Sequence, residues 1–273
     1  MELQQRNRVL SAAVAAAWGL SITALAPAAH AAEWSDTEFQ FLYGTNFHQP
    51  FIPGDVTKSI ITLQNASGFK YGRSFFFVDF LRSNAAGNNA GEVYGEWYPT
   101  FSLSKMTGQK VSAGIIKDVG ITLGLNYGAD NGGPNPRVFL PGITLDFDVP
   151  GFVFFNVDFL AFIDHGNFKI PNGPTVAACG GYASTYQITP SWFAPFEIAG
   201  QKFEFSGFWD FIGSHGTCVS QNLTQTQLRW DVGANFGAPK TAYIGVEYQY
   251  WHNKYGFQGV QDNLPQFLFV WKF

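Results

Sequence analysis

The chain has 273 residues, 46% hydrophobic, 18% aromatic and only 13% charged, with 16 Lys and Arg against 20 Asp and Glu. A net charge of −4 excludes the basic excess that nucleic-acid binding requires. The mean hydropathy is −0.01, and beyond the first stretch no apolar run approaches the roughly 18 residues of a spanning helix, so the apolar residues are dispersed by alternation.

In chain order, Arg6 and Arg8 precede an almost unbroken run of small and apolar residues from Val9 to Ala26. Ala29-His30-Ala31 then supplies the small-x-small pattern of a signal-peptidase site. Residues 1–31 are expected to be a cleaved signal peptide and 32–273 the mature domain. The alternative, an anchor helix, is disfavoured by Pro27 and by a run short of the roughly 20 apolar residues a bilayer takes.

From Ala32 onward, segments of about ten residues alternate in polarity between turn residues. Twelve are expected, near 38–47, 57–67, 74–82, 92–103, 111–127, 137–148, 152–164, 182–197, 202–212, 225–236, 241–251 and 264–273. In the eleventh, Ala242, Ile244, Val246, Tyr248 and Tyr250 share one face, and Tyr243, Gly245, Glu247 and Gln249 the other. In the tenth, Leu228, Trp230, Val232, Ala234 and Phe236 oppose Gln227, Arg229, Asp231 and Asn235. A soluble sandwich also alternates, but its solvent faces carry many Lys and Glu, which are scarce here. In a membrane only helices and closed barrels satisfy every backbone hydrogen bond. The expected fold is therefore all-β, a closed antiparallel transmembrane β-barrel of about twelve strands in a bacterial outer membrane, set in its lipid and lipopolysaccharide.

Short links such as Val149-Pro150-Gly151 and Ala199-Gly200-Gln201 alternate with longer ones, the pattern of short periplasmic turns and long outer loops. Cys179 and Cys218 fall in two of the long links. Export permits oxidation, so a disulfide between two outer loops is expected, with two free thiols as the alternative. At the C-terminus Phe267, Phe269, Trp271 and Phe273 are spaced by two and share one face. Such a strip suits lipid and would aggregate in water. Ending on Phe273, with Phe269 and Trp271 before it, the strand resembles the signal by which the barrel-assembly machinery recognises outer-membrane proteins.

The stretch Thr62-Leu63-Gln64-Asn65-Ala66-Ser67-Gly68-Phe69-Lys70-Tyr71-Gly72-Arg73-Ser74-Phe75-Phe76-Phe77-Val78-Asp79 resembles the second and third strands of the Tsx/OmpK family. That family has Ala-Ser-Gly, a Lys-aromatic-Gly turn and a Phe-Phe-Phe-Val-Asp strand. The segment Glu96-Trp97-Tyr98-Pro99 and the chain length agree with it. The resemblance implies a narrow nucleoside channel of the outer membrane, in a family where some members also serve as phage or colicin receptors.

A barrel of this size has a narrow interior. Candidate lumen residues for solute contact are Phe75, Phe77, Asp79, Glu92, Tyr94, Glu96, Asp158, Asp210, Arg229, Asp231 and Glu247. Rings offer faces for a nucleobase, at about 1–3 kcal/mol per base, and carboxylates accept bonds from hydroxyls and amines. The competing reading is that these charges pair to brace the lumen. An enzyme is not expected. His48, His165, His215 and His252 lie at loops or strand ends, and no Gly-x-Ser-x-Gly elbow is present. No histidine pair has metal-ligand spacing, so neither metal nor cofactor is expected. The reading favoured is a channel preferring nucleosides. The alternatives are a plugged or structural barrel acting through its loops as a receptor or adhesin, and a channel for another small solute.

Overall fold

The computed structural model describes residues 32–84, 91–170 and 172–273; the signal peptide expected over 1–31 lies outside them. Twelve long strands follow the alternation. They are β1 (Trp34–Gln49), β2 (Ile52–Phe69), β3 (Gly72–Ser83), β4 (Gly91–Ser102), β5 (Ile116–Asp130), β7 (Arg137–Phe147), β8 (Phe154–Asp164), β11 (Ala183–Ile198), β12 (Gln201–Ile212), β13 (Gln221–Asp231), β14 (Ala242–His252) and β15 (Asp262–Lys272). Each pairs antiparallel with its neighbour in sequence, and β1 pairs with β15 from Glu38 opposite Lys272 to Gly44 opposite Gln266, which closes the barrel. The expected closed antiparallel barrel of twelve strands is the observed one.

The period of two sorts the two surfaces. On β15, Phe267 and Trp271 are 47% and 48% exposed, whereas Leu268 and Val270 between them are 0% exposed. The outward face is a belt of rings and aliphatics, Phe41, Trp97, Leu125, Phe159, Trp209 and Tyr248 among them, as a lipid-facing wall requires. Inward, Leu42, Ile60, Tyr243, Leu264, Leu268 and Val270 pack together and fill the lumen along β1, β2, β14 and β15.

Four details differ from the sequence reading. The fifth barrel strand starts at Ile116 rather than near 111. Before it Leu103–Thr107 forms a short helix, α1, capped by the Ser102 hydroxyl accepting from Lys105 N (3.0 Å) and stopped at Gly108 with φ 69°. The tenth stops at Asp231, whose carboxylate accepts from the backbone N of Ala234 (3.0 Å) and Lys240 (2.8 Å) and turns the chain, so Val232 to Phe236 do not continue the alternation. β1 and β2 run past their expected ends to a tight hairpin at Pro50 and Phe51, where Phe51 has φ 63°. Finally, the links carry three short strands, β6 (Pro134–Asn135), β9 (Asn167–Lys169) and β10 (Thr175–Ala177), paired as a separate small sheet. These strands are too short for any periodicity to announce them.

Candidate solute pathway

At the long-loop end the lumen holds a cavity of about 470 Å³, within the roughly 300–1,000 Å³ range of small-molecule sites. β3 contributes Phe77 and Asp79, β4 contributes Glu92, Tyr94 and Glu96, and β12 contributes Phe208 and Asp210. From the facing elements come Asn126, Phe162, Gln187, Gln225 and Trp251, and the loops add Phe168, Lys254, Tyr255 and Phe257. Alternation sets the wall: Phe76, Val78 and Phe80 point to lipid, so Phe77 and Asp79 point in. Phe75 lies one step further toward the short-turn end, its ring 6.1 Å from that of Phe77, which in turn sits 5.9 Å from Tyr94.

The acids around this space are held by neutral donors. Asp79 accepts from Thr62 Oγ1 (2.6 Å), and Asp210 from Thr189 Oγ1 (2.6 Å) and Gln187 Nε2 (3.1 Å). Glu96 accepts from the Tyr94 hydroxyl and from Asn126 Nδ2 (3.0 Å). Just below, Asp158 accepts from Thr144 Oγ1 (2.6 Å), which closes a ladder of Thr100, Thr122 and Thr144 hydroxyls. Among the described residues none of these four carboxylates forms an ion pair. Gln187 Oε1 is buried at the cavity wall and accepts no hydrogen bond. The result is a wall rich in acceptors.

Two cations do approach the cavity. Lys58 Nζ pairs with Glu92 (2.6 Å), and Lys254 Nζ pairs with Asp262 (2.7 Å) while lying 5.3 Å from the centre of the Trp251 ring. Burial pushes the Lys254 ammonium below its ordinary 10.5, against the pull of Asp262.

The remaining predicted residues lie elsewhere. Arg229 donates to Glu38 through both terminal nitrogens (2.8 and 2.9 Å) and through Nε to Gln227 Oε1 (2.7 Å). Glu247 accepts from Gln227 Nε2 (2.6 Å) and Gln266 Nε2 (2.8 Å). The Tyr243 hydroxyl donates to Glu204 (2.8 Å), and Lys272 pairs with Glu204 (3.3 Å). Arg229 and Glu247 thus belong to a buried brace linking β1, β12, β13, β14 and β15, and Asp231 caps the turn after β13. Of the eleven lumen candidates, the structure brings Phe77, Asp79, Glu92, Tyr94, Glu96 and Asp210 to one cavity. It sets Phe75 and Asp158 just beneath, and Arg229, Asp231 and Glu247 apart.

Sequence reasoning missed Gln187 and the loop residues over the cavity. Phe51, Phe168 and Phe257, from three different connections, meet edge to face with ring centres 5.3, 5.3 and 5.4 Å apart. Nothing periodic marks them in the sequence. The expected disulfide is present: Cys179 and Cys218 are joined. At the short-turn end a second cavity of about 600 Å³ is lined by Arg73, Lys105, Lys110 and Lys117 among others, and shares no lining residue with the first. There Arg73 Nη1 pairs with Asp146 (2.7 Å).

The model of the nucleoside-specific channel-forming protein family Tsx matches residues 34–267. The chain belongs to that family. It is an outer-membrane channel. Among solved structures, the NanC porin matches at 9% identity and TM-score 0.47, over 86% of this chain and 97% of that one. The translocator domain of the autotransporter NalP from Neisseria meningitidis matches at 12% identity and TM-score 0.44, over 96% and 97%. The β domain of the Bordetella autotransporter BrkA matches at 9% and 0.41, over 88% and 98%. A search of curated proteins gave no match.

Proposed function

We propose that this Tsx-family channel passes nucleosides by passive diffusion. The observation that carries the reading is the outer cavity, where Phe77, Tyr94 and Phe208 stand beside Asp79, Glu96 and Asp210. Rings give a base two faces to stack on, each worth about 1–3 kcal/mol. Acceptors held only by hydroxyl and amide donors keep lone pairs for ribose hydroxyls and exocyclic amines. A wall of acceptors offers a phosphate no donors at these acids, which favours the neutral nucleoside over the nucleotide. Weak contacts of this kind let a solute leave again, as conduction demands. In the same reading the precursor is cleaved after Ala31, Phe269, Trp271 and Phe273 direct it to the assembly machinery, and the mature barrel sits among lipopolysaccharide.

The test is single-channel recording in a planar bilayer. Added nucleoside should reduce the ion current in a saturable way, and small sugars or amino acids should not. Block by sugars or amino acids with none by nucleosides would leave a channel for a different solute. The contact of Phe51, Phe168 and Phe257 above the cavity favours the second reading, a plugged barrel that acts through its loops. A purified protein that conducts no ions would establish it.

A further inference from the structure

We infer that the outer-loop disulfide doubles as a metal site: on reduction, Cys179 and Cys218 join His215 and Asp164 to hold one zinc ion. Three donor atoms already stand close to tetrahedral spacing. His215 Nε2 lies 3.6 Å from Asp164 Oδ2 and 3.2 Å from Cys179 Sγ, and Cys179 Sγ lies 3.8 Å from Asp164 Oδ2. Zinc bonds of about 2.0–2.3 Å in a tetrahedron place their ligands roughly 3.3–3.8 Å apart. The fourth donor, Cys218 Sγ, is covalently attached to Cys179 Sγ, and on reduction it has to swing out of that bond to about the same spacing from all three.

Both non-sulfur ligands are aimed from behind, as metal ligands characteristically are. His215 Nδ1 lies 3.1 Å from the Gly213 carbonyl, to which it donates, so Nε2 faces the sulfur and the carboxylate. Asp164 Oδ1 accepts from Gly166 N (2.7 Å), which leaves Oδ2 turned toward the histidine. The side chains of His215 and Asp164 are 1% and 9% exposed, so this is an enclosed group and not a surface collection of acids. All four residues line the outer cavity, through which an ion reaches them. The ligands come from the end of β8 and from two separate loops, so no local spacing in the sequence announces the site.

The chemistry balances. A phosphine takes oxygen from water and becomes its oxide, the S–S bond accepts the two electrons, and the two protons of that water end on the sulfurs. Zinc then replaces those two protons. A covalent tether between two outer loops is exchanged for a coordinate one, so the loops stay joined in reducing surroundings.

The test uses the mature channel in detergent, oxidised or reduced with a phosphine, freed of reductant under inert gas and titrated with zinc chloride against a chromophoric chelator. The reduced protein should take up one zinc per chain and the oxidised protein none. Cobalt(II) in place of zinc should give the reduced, unmutated protein a thiolate-to-metal charge-transfer band. His215→Ala and Asp164→Asn should each weaken zinc by at least about tenfold, since losing even an outer-sphere partner costs 10–100-fold. No uptake by the reduced protein, a cobalt spectrum without thiolate bands, or affinity unchanged in both variants would overturn the assignment. The cobalt spectrum needs no variant, so a folding failure of either substitution does not protect the idea.

Discussion

Two parts of the lumen use the same residue types for opposite ends. In the brace, Glu38 is 3% exposed and Arg229 4%, and a two-pronged ion pair joins them, with Lys272 3.7 Å from the same carboxylate. In the outer cavity, Asp79, Glu96 and Asp210 are held by hydroxyls and amides alone. A buried acid with a cation at hand is spent on cohesion, because separating the pair leaves an uncompensated charge. An acid whose donors are neutral keeps spare lone pairs for whatever enters the cavity. The division teaches that burial and acidity together do not identify a solute contact. The sign of the nearest partner does.

The largest effect should come from breaking the brace. Arg229→Ala strands the Glu38 carboxylate with only Gln40, Gln64 and Lys272 near it, and loss of one member of such a pair costs about 3–5 kcal/mol. The expected result is a lower urea midpoint for the heat-modifiable folded band. Replacing both partners, with Arg229→Met and Glu38→Leu, should recover much of the loss. Nucleoside block in channels that still fold should be unchanged. A block that weakens in proportion to stability would erase the distinction between the two regions.

Next comes the aromatic wall. Phe75→Ala with Phe77→Ala should weaken nucleoside block, each ring being worth about 1–3 kcal/mol, and leave ion conductance in place. Phe76 faces lipid on the same strand, so Phe76→Ala is the matched control and should leave block alone. Equal loss from Phe76→Ala would point to a strand perturbation rather than a lost stacking face.

A smaller effect is expected from Asp79→Asn. The amide oxygen still accepts from Thr62, so unfolding should move by no more than the roughly 0.5–1.5 kcal/mol of one hydrogen bond. The charge is gone, so the reversal potential under a salt gradient should shift toward weaker cation preference. A large fall in stability with no change in selectivity would move Asp79 from the cavity group into the brace.

How much of this was legible follows from periodicity. Phe267, Phe269, Trp271 and Phe273 repeat every second residue, and that repeat announced both the strand and its lipid face. The same rule placed Phe77, Asp79, Tyr94 and Glu96 on the inner face, and the position of Cys179 and Cys218 in long links foreshadowed their bond. What periodicity cannot carry is partner identity across the barrel. Arg229 and Glu38 are 191 residues apart in sequence, so an inward charge read the same whether it braced or faced open space. Nor could it carry the loops. Phe51, Phe168 and Phe257 converge through three separate connections, and α1 interrupts the link before β5 with too few residues to show a helical face.

The finest probe of the comparison is Lys254, a cation that lies in the outer cavity among acids it does not neutralise. Its ammonium pairs with Asp262 and rests against the rings of Phe47, Trp251 and Tyr255. Burial, which acts most strongly, and the nearby Lys58 push it below 10.5, while Asp262 and Glu92 pull the other way without prevailing. With the folded value below the unfolded one, the unfolded chain binds more protons between the two, so stability from this residue rises with pH across that interval. Over the same interval the cavity loses a positive charge and keeps its carboxylates. Raising the pH toward 10.5 should therefore increase cation preference, read as a shift in reversal potential, and should raise the urea midpoint relative to Lys254→Met. That variant, already uncharged, should show greater cation preference at neutral pH and little further change on the alkaline side from this source. A wild-type channel whose selectivity follows that of Lys254→Met at every pH would mean that Lys254 contributes nothing to the field of the cavity. The ion pair with Asp262 would then belong with Arg229 and Glu38, as one more brace.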